Sequence, residues 1–227
     1  MLDAGKAVNG LFVNPMRSVK QTFLFWETRE ASVNSMYLNS MGESLDEEER
    51  REIIGYLPDL KGKKILDLGS GIGRFTRFFA SQAGYLTTVD MASHFVDKNR
   101  KDHADFKNVT FLCSDAMELS MEEDSLDFVF LNWLFMYLED SEIEVLMDRI
   151  QRWLKPEGEL FFRESCSATR QMSNDPTYYV HYRELSYYDE IVKKRFALLK
   201  EGHIQAHVDA FANPLQCFWY CKNPGFV

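Results

Sequence analysis

The stretch Ile65-Leu66-Asp67-Leu68-Gly69-Ser70-Gly71-Ile72-Gly73 decides the fold predicted for this chain of 227 residues. Its first four residues form a short, largely apolar strand. The glycines after them permit a tight turn that exposes backbone N–H groups at the start of a helix. That helix is predicted over residues 73–83, where Phe75, Phe78 and Phe79 share one face. A strand that passes through a glycine turn into a helix is the first unit of a parallel α/β sheet.

The alternation of strand and helix continues outward from this unit. Ser44 and Glu47 form a capping-box pattern for a helix that precedes it. Strands are predicted at 85–89, 109–113, 126–131 and 159–163, and helices at 45–57, 92–101 and 140–154. Because near-continuous apolar strands alternate with helices, we expect an α/β fold with a doubly wound, mostly parallel seven-stranded sheet covered on both faces.

The pattern changes after residue 165. A polar, tyrosine-rich stretch at 167–188 precedes a helix that is predicted to end at about residue 200. Strands at 204–211 and 215–221 then predict an antiparallel hairpin at one edge of the sheet, with His203 and His207 facing solvent. We expect a single domain over 1–227. It comprises an N-terminal lid and helix at 1–60, irregular up to about residue 20, a core at 61–165 and a C-terminal segment at 166–227.

Composition excludes several classes of protein. Lys and Arg number 26 and Asp and Glu number 35, which gives a formal net charge of −9. An acidic chain without a basic tail disfavours binding to nucleic acid or to an anionic membrane surface. No apolar run approaches the roughly 20 residues that a membrane-spanning helix needs. Four cysteines are few for this length and favour reduced thiols in the cytoplasm, and Cys217 and Cys221 lack partners at metal-ligand spacing, so no metal site is expected.

Three acids follow the predicted strands that surround the glycine turn. Asp67 lies within the first strand, Asp90 closes the second, and Asp115 follows the third. Any one of them could be an ordinary turn or cap residue, but their order and spacing favour a shared ligand. A carboxylate before the first glycine would repel a pyrophosphate, and neither the dinucleotide pattern nor a G-K-[ST] run is present. The acids suit a ligand with a ribose, an adenine, a positive charge and no phosphate, which is S-adenosylmethionine.

Residues 65–76 with Asp90 and Asp115 resemble the class I S-adenosylmethionine-dependent methyltransferases. Over roughly residues 22–221 the chain further resembles the first domain of the plant- and worm-type phosphoethanolamine N-methyltransferases. The segments that carry this likeness are Asn34-Ser35-Met36-Tyr37-Leu38, Gly71-Ile72-Gly73-Arg74-Phe75-Thr76, Asn132-Trp133-Leu134-Phe135-Met136-Tyr137-Leu138, Phe161-Phe162-Arg163-Glu164-Ser165-Cys166, Pro176-Thr177 and His181-Tyr182-Arg183-Glu184. Residues 167–180 depart from the family's spacing, which leaves the choice of substrate open.

The resemblance implies where the cofactor would bind. The N-terminal segment is expected to fold over S-adenosylmethionine as a lid, with Trp26, Ser35 and Tyr37 facing it, although these residues could instead be ordinary helix packing. The other expected cofactor-binding residues follow the strand ends, and they are Asp67, Gly69, Ser70, Gly71, Gly73, Arg74, Asp90, Met91, Ser114, Asp115, Ala116 and Asn132.

The resemblance also implies how the acceptor would be handled. Tyr137 aligns with a catalytic histidine of related domains and is expected to take the proton of the amine; the alternative is a core aromatic. Asn132 and Trp133 are expected where the methyl group meets the amine, with the indole facing a cation. His181 is an alternative base. The expected phosphate ligands are Tyr179, Tyr182, Arg183, Tyr187 and Tyr188, with Arg163 as a further candidate that could instead pair with Glu164 or Glu159.

Three functional hypotheses follow. The leading one is an N-methyltransferase that acts on the amine of phosphoethanolamine, a step toward phosphocholine. The second keeps the reaction and changes the acceptor to another small molecule or a protein side chain. The third is a partner subunit that binds S-adenosylmethionine without transferring its methyl group. Because the family usually carries a second methyltransferase domain, a protein with that domain is an expected partner.

Overall fold

The computed structural model of the chain describes residues 15–38, 40–173 and 178–225. Part of the predicted irregular N-terminal segment, 1–14, and the pair Pro176-Thr177 lie outside the described residues. Three helices precede the sheet, and the first begins five residues before the expected end of the irregular segment. They are α1 (Pro15–Glu27), α2 (Val33–Tyr37) and α3 (Gly42–Tyr56).

The central part of the chain alternates between strands and helices as predicted. A single turn of 3-10 helix, Phe135–Tyr137, follows the fourth strand. The elements are β1 (Lys64–Leu68), α4 (Thr76–Gln82), β2 (Tyr85–Asp90), α5 (Ser93–Asp102), β3 (Val109–Cys113), β4 (Leu126–Asn132), α6 (Asp140–Trp153) and β5 (Leu154–Ser165).

The C-terminal part adds a small ribbon and the antiparallel edge. Its elements are β6 (Gln171–Met172), β7 (His181–Tyr182), α7 (Leu185–Lys193), β8 (Ala197–His203), α8 (Gln205–Phe211) and β9 (Gln216–Lys222). The main sheet has the order β3-β2-β1-β4-β5-β9-β8, while β6 and β7 pair apart from it. Strands β1 to β5 are parallel, and β9 runs antiparallel to both β5 and β8. The prediction of a seven-stranded, mostly parallel sheet with an antiparallel edge is therefore confirmed.

The core lies on both faces of the three central strands. Phe128, Phe130 and Phe161 are fully buried on one face, under α4. The other face packs against α6 through its buried side chains Ile143, Leu146, Met147, Ile150 and Trp153. Strand order reverses between β1 and β4, so the carboxyl ends of the strands form a crevice there, which is where this fold class binds ligands.

Two predictions in the C-terminal part of the chain are wrong, namely the strand at 204–211 and the helix that ends at about residue 200. Residues 205–211 are helix α8 and not part of a strand, the edge strand is β8, and α7 ends at Lys193. The first N–H groups of α8, on Gln205 and Ala206, donate to the carboxylate of Glu52, 153 and 154 residues away. A capping partner so distant leaves no local pattern in the sequence. His207 is consequently buried, only 6% exposed, and does not face solvent.

The predicted capping box at Ser44 is also wrong. Helix α3 begins earlier, at Gly42, and the Ser44 hydroxyl donates to the backbone carbonyl of Met41 from inside the helix. A capping box does occur at α6, where Glu139 and Glu142 bond reciprocally to each other's backbone N–H groups. The usual capping-box pattern has Ser or Thr at the N-cap position, so a glutamate there is not recognised from the sequence.

Candidate active site

The glycine turn after β1 is held by the neighbouring strand and by a carboxylate. The N–H groups of Gly69 and Ser70 donate to the carbonyl of Val89 at 2.9 and 3.0 Å. The N–H of Gly71 donates to Asp90 Oδ2 at 2.8 Å, and the other carboxylate oxygen of Asp90 accepts the N–H of Ala92 at 2.9 Å. Asp90 therefore fixes both the glycine turn and the start of α5, and burial raises its pKa above the ordinary value.

Gly73 shows why this turn requires glycine. Its φ is +85°, in the left-handed region, and a Cβ added there would lie 2.1 Å from Oδ1 of Asn99. Asn99 is fully buried in α5 and its Oδ1 lies 2.9 Å from Nδ1 of His103, so it cannot move away cheaply. The glycine turn is therefore packed directly against α5.

A cavity opens at the crevice and is lined by most of the residues predicted to bind the cofactor. Among the lining residues the one cation is Arg74, which is itself paired with Asp46 at 2.6 Å and Glu49 at 2.9 Å. The predicted residues on the cavity wall are Trp26, Asp67, Gly69, Ser70, Gly71, Arg74, Asp90, Met91, Ser114, Asp115, Ala116, Asn132, Trp133 and Tyr137. Burial, and then the neighbouring Asp90, raise the pKa of Asp67 to about 8. The wall suits a ligand with a positive charge.

Three predicted cofactor residues lie off this wall. Gly73 faces Asn99, and Ser35 lines a second cavity. Tyr37 accepts a hydrogen bond from Nη2 of Arg74 at 2.5 Å, behind the wall. Sequence reasoning missed eight lining residues that carry no chemical pattern, all apolar except the first, namely Thr22, Met36, Phe75, Val89, Phe95, Phe130, Leu134 and Leu138.

Helix α1 contributes Trp26 to the cavity wall. The indole packs edge-on against Phe95 of α5 and against Tyr137, with ring centroids 6.0 and 5.8 Å apart. Trp26, which is expected to be part of a lid, thus contacts both α5 and the 3-10 turn at the cavity wall.

Tyr137 lies at the end of the 3-10 turn and faces both the cavity and a neighbouring tyrosine. Its hydroxyl is 3.1 Å from the hydroxyl of Tyr178, a residue that sequence reasoning had not selected from the tyrosine-rich stretch. Burial, followed by the Tyr178 hydroxyl, raises the pKa of Tyr137 well above its ordinary value.

Two buried, opposite charges hold the 3-10 turn. The carboxylate of Glu164 accepts the N–H groups of Leu134, Phe135 and Met136 at 2.9, 2.7 and 3.2 Å. The guanidinium of Arg183 donates to the carbonyls of Phe135 and Leu138, and its Nε donates to Asp140 at 2.9 Å. Arg183 is 1% exposed. Three of its five N–H groups bond to the turn and to Asp140, so Arg183 holds the turn in place, and its expected role as a phosphate ligand stays a prediction.

Arg163 is likewise buried and not free to bind a phosphate. Its guanidinium carbon lies 3.5 Å from the ring centroid of Trp133, and its Nη1 donates to Asn132 Oδ1 at 3.1 Å. Its Nη2 contacts Glu49 at 3.0 Å and His207 at 2.9 Å. Burial opposes ionisation of Glu49, but Arg163 and then Arg74 lower its pKa below the ordinary value. Arg163 therefore positions Asn132 and Trp133 at the cavity.

The tyrosines of the predicted phosphate cluster also lie away from the cavity wall. Tyr188 is fully buried and packs on Phe162 and Trp219. Tyr179 bonds to Glu139, Tyr187 lies against Arg183, and Tyr182 is half-buried on the small ribbon. The prediction for Tyr188 is corrected, since it belongs to the core. His181 is buried, with Nε2 3.6 Å from Glu139.

A second, polar cavity adjoins this region. Tyr178 and Ser35 line it together with Arg29, Glu30, Ser32, Asn34 and Glu43, and several of these residues are exposed at its rim. The contact between the hydroxyls of Tyr137 and Tyr178 therefore joins the two cavities.

Comparisons with known proteins show what the chain is similar to. Residues 65–158 match the model of the methyltransferase domain family. The chain is 37% identical to phosphoethanolamine N-methyltransferase 1 of Triticum aestivum over 96% of its own length and 47% of the relative's. It is 39% identical to phosphoethanolamine N-methyltransferase 1 of Caenorhabditis elegans over 63% of its length and 30% of the relative's. The chain thus spans about half the length, or less, of these curated relatives.

A solved structure is similar over the same region. It is the phosphoethanolamine N-methyltransferase 1 of Haemonchus contortus in complex with phosphoethanolamine and S-adenosylhomocysteine. The TM-score is 0.89 at 29% identity, covering 95% of this chain and 51% of the other. Within the described part of the chain, every helix is too short or too polar to cross a membrane.

The residues of the main cavity fit S-adenosylmethionine. The acids Asp67, Asp90 and Asp115 exceed the one paired arginine, which suits a sulfonium and an ammonium. The tight turn around Gly69 and Gly71 allows the ligand to approach the backbone. S-adenosylmethionine is the cofactor of this fold.

Proposed function

The chain has the class I methyltransferase fold and is related to the phosphoethanolamine N-methyltransferases of plants and nematodes, and from that premise we propose that it methylates the amine of phosphoethanolamine. Identity of 37% over 96% of the chain carries the proposal. The acidic wall of the main cavity, which favours a cationic cofactor without phosphate, supports it independently.

In the proposed reaction the protein mainly aligns the two reactants. When bound, S-adenosylmethionine supplies a methyl group on a sulfonium, which the amine attacks in line. We assign the ribose hydroxyls to Asp90, the adenine to Asp115 with Ala116, and the positively charged end of the cofactor to Asp67. Asn132 and Trp133 border the place where the amine meets the methyl group, and the indole face stabilises the cation that forms.

Tyr137 is the proposed group that handles the proton of the acceptor. A primary amine has a pKa of about 10.4 and is protonated at neutral pH, so it must lose a proton before it can attack. The Tyr137 hydroxyl lies on the cavity wall near Asn132 and Trp133. For the phosphate we propose Arg29, which is exposed and lines the second cavity, in place of the buried Arg183.

The test is an assay of the purified chain with S-adenosylmethionine and phosphoethanolamine, read by mass spectrometry, with ethanolamine as the matched acceptor that lacks the phosphate. We expect methylated phosphoethanolamine and little or no methylated ethanolamine. Equal product from both acceptors would favour a different amine as substrate. Cofactor binding without product from any phosphobase would favour a non-catalytic subunit.

Two further features belong to the proposal. Because the chain spans about half the length of its relatives, we propose that a second methyltransferase domain acts as its partner. We also propose a cytoplasmic location, which is supported by four cysteines that are all free.

A further inference from the structure

Tyr137 cannot by itself be an effective base for the amine. Its ring packs edge-on against Trp26 with the centroids 5.8 Å apart, and its hydroxyl contacts the hydroxyl of Tyr178. A buried phenol resists becoming a phenolate, because a negative charge loses its hydration there. A neutral phenol can accept a proton only if it releases its own at the same time.

Tyr178 is placed to receive that released proton. The two hydroxyls are 3.1 Å apart, within hydrogen-bond distance, and Tyr178 is also held by ring contact with Phe25 at 4.5 Å between centroids. Tyr137 lines the main cavity and Tyr178 lines the second cavity, whose rim is exposed and polar. The pair is therefore a hydrogen-bonded path between the reacting amine and water.

We propose that Tyr137 and Tyr178 form a proton relay that carries the proton of the acceptor's ammonium group from the main cavity to the second one. The proposal rests on the proposed function. In the step, an N–H bond of the ammonium breaks as an O–H bond forms on Tyr137. The original proton of Tyr137 passes to Tyr178, whose own proton goes to water in the second cavity. The amine keeps its electron pair and then attacks the methyl group.

Other charged and titratable groups face this pair. Glu164 and Tyr182 act electrostatically on both hydroxyls, Tyr182 also bonds to Tyr178, and Arg29 acts on Tyr178. Glu164 has its carboxylate occupied by three backbone N–H groups, and Arg29 cannot accept a proton. Tyr178 acts through Tyr137 and is therefore a positioning residue, so its removal must change the pH profile of the reaction.

The test compares Tyr178→Phe with the wild-type chain across pH. Phenylalanine keeps the ring that packs on Phe25 and removes only the hydroxyl. We expect kcat/KM for phosphoethanolamine to fall by about a hundredfold near neutral pH. The loss should shrink toward about pH 10, where the amine loses its proton to solvent without help. Tyr220→Phe is the matched control, since that hydroxyl also bonds to a side chain, Glu159, but lies far from the cavity.

Two results would overturn the relay, namely a wild-type rate in Tyr178→Phe or a loss of the same size at every pH. If Tyr178→Phe lowers the melting temperature or the affinity for S-adenosylhomocysteine, the Tyr137→Phe background decides. There, adding Tyr178→Phe should cost nothing further in kcat, whereas an additive loss would contradict the relay. A wild-type chain that makes no product refutes the proposed function and the relay with it, while an active wild type with an unchanged variant refutes the relay alone.

Discussion

Asp90, which is partly buried, and Glu164, which is fully buried, both accept backbone N–H groups beside the same cavity, yet they hold their loops over different distances in the chain. Asp90 bonds to Gly71 and Ala92, 19 and 2 residues away. Glu164 bonds to three residues that lie 28 to 30 positions away. Arg183, from another part of the chain, donates to the carbonyl of Phe135 in the same turn. We call the region of the glycine turn and Asp90 the cofactor half, and the region of Trp133 to Leu138 the acceptor half.

The difference teaches how each half tolerates change. The structure of the cofactor half depends on the backbone conformation of one local strand-turn-helix unit, so it is most sensitive to substitution of its glycines. The structure of the acceptor half depends on buried charged side chains from distant segments of the chain, so it is most sensitive to substitution of those side chains. Substitutions in one half should therefore leave the other half's ligand largely unaffected.

The largest effect is expected for Gly73→Ala in the cofactor half. The substitution adds strain at a left-handed residue and a clash with buried Asn99, and together these should lower the free energy of unfolding by about 3 kcal/mol. Gly62→Ala is the control, because Gly62 has φ +72° but nothing within 4 Å of the added Cβ. It should lose only about 1 kcal/mol. Chemical denaturation measures both, and equal losses would show that the packing against α5 is unimportant.

The next effect is expected for Glu164→Gln in the acceptor half. The amide keeps one acceptor oxygen and turns an N–H₂ toward backbone N–H groups, so the turn that carries Tyr137 should shift. We expect kcat to fall by roughly tenfold to a hundredfold. The affinity for S-adenosylmethionine should change by less than about threefold. Glu159→Gln, on the same strand but bonded to Lys63 and Tyr220, is the control. A fall in cofactor affinity as large as that in kcat would erase the distinction between the halves.

A smaller effect concerns pH and Asp67. Since the pKa of Asp67 in the folded chain is about 8, the folded chain holds a proton that the unfolded chain has lost between about pH 4 and pH 8. Without ligand, stability should therefore fall as pH rises through that window. Binding of the cationic cofactor should strengthen over the same range, because it favours the ionised carboxylate.

The measurement is the ratio of affinities for S-adenosylmethionine and for S-adenosylhomocysteine, which lacks the sulfonium charge. We expect the ratio to rise about fivefold across the window and to be flat in Asp67→Asn. Asp59→Asn, where the side chain caps the exposed turn at Lys61, should behave as the wild type. A ratio independent of pH in the wild type would contradict the assignment of Asp67 to the positively charged end of the cofactor.

The same difference explains what the sequence could predict. The alternation of strands and helices, the glycine turn and the acids at 67, 90 and 115 follow local patterns, and all three acids line the cavity. Arg183 and Arg163 carried the right charge for a phosphate, but each is neutralised by partners far along the chain, Asp140 and Glu49. Helix α8 was mistaken for a strand because its cap, Glu52, belongs to α3. Long-range pairing of this kind leaves no spacing to recognise.

Glu49 has a consequence for how the chain folds. It contacts Arg74, Arg163 and His207, and the last two are 114 and 158 residues away from it. A contact between such distant residues can form only after a long loop has closed, and loop closure costs conformational entropy. These contacts therefore form late in folding. Helices α3 and α8 are therefore held by the same set of long-range contacts. Removing α3 would take away Glu49 and leave the buried guanidinium of Arg163 without its carboxylate partner, so the structure around α8 and the end of β5 depends on the N-terminal helix α3.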